Sequence, residues 1–206
     1  MNRVIAIVPV GRLEGAKSRL GPVLDAEERH DLARRLVIRT LDALRATPGI
    51  EDTLVITPDD DVRALALAAG ARPIRQHTDG LNAGLREARD EAIAAGADAI
   101  LIVPTDLPQI SPAALGAVLA EFDAGPATPL VVIAPDRHGR GTNALLLSPP
   151  DVIDVQFGGD SRPAHAGAAL AAGARLVELD GPLALDLDTP DDLLLAEGLD
   201  PAFAHG

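Results

Sequence analysis

Short runs of β-branched and aliphatic residues alternate along this chain with longer Ala-, Leu- and Arg-containing stretches of helical period. The runs at 3–9, 53–57, 98–103, 130–134, 142–147 and 175–179, with a weaker one at 72–76, read as strands. Most are apolar at nearly every position, the pattern of strands covered on both faces. Strands punctuated by helices in this way predict a three-layer α/β/α fold around a central, mostly parallel mixed sheet.

Helix ends are marked by specific chemistry. Asp25-Ala26-Glu27-Glu28 supplies an N-cap acceptor with a Glu three residues on, predicting a helix start at Asp25. Leu32, Ala33, Leu36, Val37, Leu41 and Leu44 then recur at three- and four-residue steps. That spacing turns Arg29, Arg34, Arg35, Arg39 and Arg45 mostly to solvent, so they read as a solvated face rather than a binding patch. Ser111-Pro112 and Thr189-Pro190-Asp191-Asp192 are further starts, and Gly70, Gly96 and Gly173 are stops. Segments 135–141 and 157–162 are the most loop-like interior stretches. No repeat or long linker divides the chain, so one domain over 1–206 is expected.

Composition narrows the class. Eighteen Lys+Arg against 31 Asp+Glu give a formal charge of −13, with no Cys, Trp or Tyr and three Phe. A net negative chain lacks the basic face that a general nucleic-acid binder needs. Without Cys there are no disulfides, thiolate metal sites or cysteine nucleophiles, which suits a reducing cytosol. No apolar run approaches the roughly 18 residues of a membrane span. A cytoplasmic protein with no nucleic-acid or membrane partner is expected. Oligomeric state is left open, a homodimer included.

In a sheet of this kind ligands sit beyond the carboxyl ends of the strands, which directs attention to three loops. The first is 10–20, where Gly11, Gly15, Lys17, Ser18 and Arg19 follow a buried strand. Backbone N–H groups and cations there can wrap a polyphosphate, although G-x-x-x-x-G-K-[ST] is not matched. Lys17 is the single lysine against 17 arginines, which points to a need for a compact ammonium; a solvated loop charge is the alternative. The second loop carries Asp106 between Pro104 and Pro108 at the end of an apolar strand. Its carboxylate could hold a hard divalent cation or cap a turn. The third is Leu185-Asp186-Leu187-Asp188-Thr189-Pro190. In an extended stretch Asp186 and Asp188 point the same way and Leu187 faces the core, so a cation between the carboxylates would offset their repulsion. Asp188 or Thr189 could instead simply cap the last helix.

The clusters 80–84, 136–143 and 157–162 add small hydroxyls, amides and arginines suited to a phosphorylated or carboxylated ligand, and each alone is ordinary turn punctuation. His30 reads as a helix-surface residue and His205 as part of a frayed tail. His77, His138 and His165 have no metal-ligand spacing, and no Ser-His-Asp order is evident. A phosphate-wrapping loop plus three carboxylates for Mg²⁺ is equipment for phosphoryl or nucleotidyl transfer.

These motifs together resemble the CofC/FbiD family. They are P-V-x-x-L-x-x-A-K-S-R-L at 9–20, G-L-N at 80–82, P-T-D-L-P at 104–108, A-P-D-R-x-G-x-G-T-N-A-L at 134–145, F-G-x-D-S at 157–161 and L-D-L-D-T-P at 185–190. The resemblance runs in order over nearly the whole chain, and 134–145 is its most specific part. Its members are guanylyltransferases of deazaflavin coenzyme F-420 biosynthesis. They join GTP to a small phosphorylated three-carbon acid, phosphoenolpyruvate or 2-phospho-L-lactate, and release pyrophosphate. The resemblance implies a GT-A-like, Rossmann-like nucleotidyltransferase fold. It implies Mg²⁺ on Asp106, Asp186 and Asp188, with Lys17 and Asp106 catalytic. Gly11, Lys17, Arg19, Gly80, Leu81 and Asn82 would bind nucleotide, and Thr142, Gly158 and Ser161 the acid. Thr105 departs from the Ala frequent in relatives and leaves the site intact. Guanine selection comes from the resemblance alone. Other expectations are an acceptor such as molybdopterin or a sugar phosphate, 3-phosphoglycerate as the acid, or a nucleotide-binding protein without turnover.

Overall fold

The computed structural model describes residues 3–123 and 128–200; His205 lies outside them. Seven strands are present: β1 Val4–Pro9, β2 Ile50–Thr57, β3 Arg72–Arg75, β4 Ala99–Ile102, β5 Leu130–Pro135, β6 Thr142–Ser148 and β7 Arg175–Glu178. Six α-helices accompany them: α1 Ala26–Arg45, α2 Asp60–Ala68, α3 Leu81–Ala94, α4 Pro112–Asp123, α5 Ser161–Ala171 and α6 Pro190–Leu199. The strands form one mixed sheet in the order β3-β2-β1-β4-β6-β5-β7. Only β6 runs against its neighbours; the β1–β2, β1–β4, β2–β3 and β5–β7 pairs are parallel.

Alternation along the inner strands builds the layers. Val4, Ala6 and Val8 enter one core with α1, α2 and α4 residues, while Ile5 and Ile7 enter another with Leu85 and Ala88 of α3 and Ala169 of α5. Edge strands β3 and β7 are only partly covered, so their apolar runs are the weakest. β2 starts at Ile50, three residues before the apolar run at 53–57, because parallel pairing with β1 recruits the polar residues 51–53.

Asp25 caps α1 as expected: its carboxylate accepts the Glu28 N–H while the Glu28 carboxylate accepts the Asp25 N–H. Thr189 and Asp192 form the same reciprocal arrangement at α6. Gly70, Gly96 and Gly173 follow α2, α3 and α5 with φ of 79°, 80° and 66°, the left-handed turn that ends a helix. Two stretches expected to be irregular are ordered at their ends: Pro135 closes β5, and Ser161-Arg162 opens α5. Likewise Leu81 and Asn82, in a cluster that reads as turn punctuation, are the first residues of α3. Among the described residues no helix is long and apolar enough to cross a membrane.

A third apolar cluster, of Leu20, Leu32, Leu36, Leu185, Leu187, Leu193 and Ala196, packs the 185–188 segment against α1 and α6. Because Leu185 and Leu187 are both drawn in, Asp186 and Asp188 between and beside them are turned the other way.

Candidate active site

The parallel strands β1, β4 and β5 end at one edge of the sheet, and antiparallel β6 begins there. Loop 10–17, loop 103–111, loop 136–141 and Thr142 therefore meet at that edge, and the 179–188 segment after β7 joins them. A backbone hydrogen bond ties two of these segments directly: the Leu187 N–H donates to the Asp106 carbonyl at 2.8 Å. Asn143, buried on β6, donates through Nδ2 to the Leu183 and Ala184 carbonyls, and the Arg137 N–H also donates to the Ala184 carbonyl. The acidic loops are thus fastened to each other and to the sheet by backbone groups that their own charges do not use.

Lys17 closes the arrangement. Its ammonium lies 3.5 Å from Asp106 Oδ2 and 3.1 Å from Asp188 Oδ1, and Arg19 Nη1 lies 3.4 Å from Asp188 Oδ2. Lys17 is also the only non-glycine residue among the described ones with positive φ, at 53°. Left-handed backbone is strained for a residue with a Cβ, so the turn holds this ammonium at a conformational cost. The same loop is anchored at its start by the Leu13 N–H donating to Asp59 Oδ2 at 2.9 Å. Burial pushes the Asp59 carboxyl up, but N–H donors from Leu13, Asp61 and Val62 outweigh it and hold it below the ordinary carboxylate range.

Asp186 is half-buried and shifted the opposite way. Burial, together with the charges of Asp106, Asp188 and Asp192, raises its carboxyl above the ordinary value. Asp192, which also lines the cleft, is buried. Asp192 Oδ2 accepts the Asp188 N–H, the Thr189 N–H and the Thr189 hydroxyl, and Oδ1 pairs with Arg137. Burial raises the Asp192 carboxyl, yet these donors and Arg137 together bring it below the ordinary range.

A cleft of about 480 Å³ lies among these groups. Of the residues expected to act, Arg19, Leu81, Asp106, Thr142, Gly158, Ser161, Asp186 and Asp188 line it. Lys17 borders it through its pairs with Asp106 and Asp188. Gly11, Gly80 and Asn82 do not line it. Gly11 is exposed in the loop after β1, and Gly80 is the N-cap of α3 with φ of 95°. Asn82 spends its amide on Phe157, donating to the carbonyl at 2.9 Å and accepting the N–H at 2.8 Å. It clamps the 157–160 loop to α3.

Three contributors escape a reading of the sequence alone. Asp59 and Asp192 carry a visible signal, an acidic residue at a helix start, which says capping and is silent on the loop each one ties down. His165 carries none, since its partners Thr142 and Gln156 are brought to it only by packing.

Asp106, Asp186 and Asp188 offer the hard oxygen donors that a divalent cation prefers. A cation already stands between two of them in the form of Lys17. Among the described residues, no three acidic or imidazole side chains are already disposed as a metal cage. The donor chemistry fits Mg²⁺, and the carboxylates would have to close on it.

The family profile described as "Guanylyl transferase CofC like" matches residues 4–198. The chain belongs to this family. A phosphoenolpyruvate guanylyltransferase of Rubrobacter xylanophilus is 45% identical over 195 residues, covering 94% of this chain and 93% of that one. One of Sphaerobacter thermophilus is 43% identical over 192 residues, 92% and 90% of the two chains. Among solved structures, a putative nucleotide-diphospho-sugar transferase of Desulfovibrio desulfuricans superposes with a TM-score of 0.74 at 19% identity, over 92% of this chain and 84% of that one. A 4-diphosphocytidyl-2C-methyl-D-erythritol synthase gives 0.65 at 16%, over 97% and 99%. At such identities the likeness is one of fold, and this CofC-family chain shares the GT-A-like α/β fold of those structures.

Proposed function

We propose that this CofC-family chain transfers the guanylyl group of GTP to phosphoenolpyruvate, releasing pyrophosphate, in the cytoplasmic biosynthesis of coenzyme F-420. The observation that carries the reading is the junction of three loops at the sheet edge. The Leu187 N–H donates to the Asp106 carbonyl at 2.8 Å, and the Lys17 ammonium reaches both Asp106 and Asp188. The names of its relatives at 34–45% identity supply the substrates.

In this reading the 10–19 loop receives the triphosphate, where Lys17 and Arg19 offset its charge and backbone N–H groups can point at phosphate oxygens. Thr142, Gly158 and Ser161, which line the same cleft, receive the acid. An oxygen of the acid's phosphate attacks the α-phosphorus in line as the bond to the β-phosphate oxygen breaks, and pyrophosphate leaves. That oxygen is ionised at neutral pH, so the step calls for no general base. Asp106, Asp186 and Asp188 would hold Mg²⁺, which when bound supplies charge neutralisation at the transferring phosphate.

Mass spectrometry of the product formed from GTP, Mg²⁺ and an equimolar mixture of phosphoenolpyruvate, 2-phospho-L-lactate and 3-phosphoglycerate tests the substrates. Guanylylated phosphoenolpyruvate is expected to dominate, and another acid or no coupling would overturn the assignment. Asp106→Asn should keep the fold and lower turnover by on the order of 100-fold or more; full activity in that variant would refute the metal role.

A further inference from the structure

His165 is buried on α5 and hydrogen-bonded to Thr142 in the wall of the cleft. Its ring joins two pieces of that wall. The Gln156 N–H donates to Nε2 at 2.9 Å, and Nδ1 lies 3.0 Å from the Thr142 hydroxyl oxygen. The Phe157 ring packs against it edge to face, with centroids 5.0 Å apart and planes at 68°, which fixes the imidazole plane.

These contacts determine where the protons are. A nitrogen that accepts the Gln156 N–H carries no hydrogen, so the neutral ring has its one proton on Nδ1. That proton points to Thr142 Oγ1, which acts as the acceptor. The Thr142 O–H is then left as a donor, and the hydrogen bonds of the described residues give it no other protein partner. Thr142 lines the cleft, where an anionic oxygen could take that proton. Burial pushes His165 down to about 4, only weakly opposed by Asp154, which agrees with a neutral ring at the pH where the protein works.

We infer that His165 is a positioning residue for the anionic acceptor: by donating from Nδ1 to Thr142, it aims the Thr142 hydroxyl at a ligand oxygen, and by accepting from Gln156 it fixes the 156–158 backbone beside that hydroxyl. This rests on the reading that the phosphorylated acid occupies the Thr142 end of the cleft. No proton is exchanged with substrate. The imidazole selects one of the two roles open to the hydroxyl and so favours a ligand that accepts there.

A double-mutant cycle separates this role from mere packing. In His165→Gln the side-chain carbonyl can still accept the Gln156 N–H, but the donor to Thr142 is lost. Thr142→Val removes the hydroxyl, and Thr142→Ser retains it. With phosphoenolpyruvate, GTP and Mg²⁺, Thr142→Val and His165→Gln should each raise KM for the acid about 10-fold. KM for GTP should hold within about 2-fold. Thr142→Ser should stay close to wild type, and the double variant should be no worse than Thr142→Val alone. Additive effects of the two substitutions, or a fall confined to kcat, would overturn the inference while leaving the site reading standing. An unchanged KM in Thr142→Val would instead overturn the placement of the acid, and the inference with it. Thermal melting checks folding. If His165→Gln does not fold, His165→Asn, whose amide can still donate near the Nδ1 position, takes its place. It should keep KM near wild type, and a rise equal to that of Thr142→Val would overturn the inference.

Discussion

Lys17 concentrates the chemistry of the site in one side chain. Its side chain is only 13% exposed, its ammonium lies within 3.5 Å of two carboxylates, and its backbone is left-handed at a cost of about 1–2 kcal/mol. A residue kept in such a conformation, as the single lysine among 17 arginines, matters for the shape of its cation as well as the charge. The planar guanidinium of Lys17→Arg would not sit between Asp106 and Asp188 as the compact ammonium does. That variant should therefore retain less than about a tenth of the guanylyl transfer rate. Lys17→Asn suits the left-handed turn better and lacks the charge, so it should lose at least as much with an unchanged circular dichroism spectrum. Near-normal rates in both would remove Lys17 from the reaction. Lys17 stood out in the sequence by contrast with the other basic residues. Asp192 and His165 did not, because each acts through partners at other places in the chain, Arg137 for one and Thr142 for the other.

At the level of elements, two helix starts with the same local chemistry have different consequences. Asp25 and Glu28 are exposed and touch nothing of the site. Asp25→Ala should cost about 1 kcal/mol and lower Tm by roughly 2–4 °C, with the transfer rate unchanged. Asp192 caps α6 and also holds the Asp188 N–H and Arg137. Asp192→Ala leaves Arg137 without its buried partner and frees the segment that aims Asp188, so it should cost about 3 kcal/mol and depress turnover as well. Calorimetry and steady-state rates on the two variants separate a cap that only stabilises from one that also orients. Both starts were legible in the sequence because capping is local. So were the inner strands, since burial on both faces leaves an apolar run, while the partly covered edge strands β3 and β7 carry the weakest runs. The onset of β2 at Ile50 was not, because its first polar residues are strand only by pairing with β1. The same holds for the beginning of α3, where Gly80, Leu81 and Asn82 read as a turn.

For the whole molecule, topology decides what the sequence could not. The reversal of β6 brings Thr142 to the edge where β4 ends, into the cleft that Asp106 also lines, and no local pattern announces an antiparallel strand in a mostly parallel sheet. Thr142 has a buried imidazole behind it, and that imidazole contributes to how stability follows pH. His165 titrates at about 4 when folded against an ordinary 6.5, burial being the main cause. Above 6.5 the ring is neutral in folded and unfolded chains alike, and its full contribution to stability is present. Between 6.5 and about 4 the unfolded chain takes up the proton that the folded chain refuses, so stability falls as pH falls, by about 3 kcal/mol in all. Urea unfolding of wild type and His165→Asn at pH 7, 5.5 and 4.5 reads this as a difference that carboxylates common to both chains do not supply. The wild type should lose stability more steeply over that interval. Parallel curves would mean that the ring gains its proton without leaving the fold, which a buried histidine accepting the Gln156 N–H at Nε2 has no room to do.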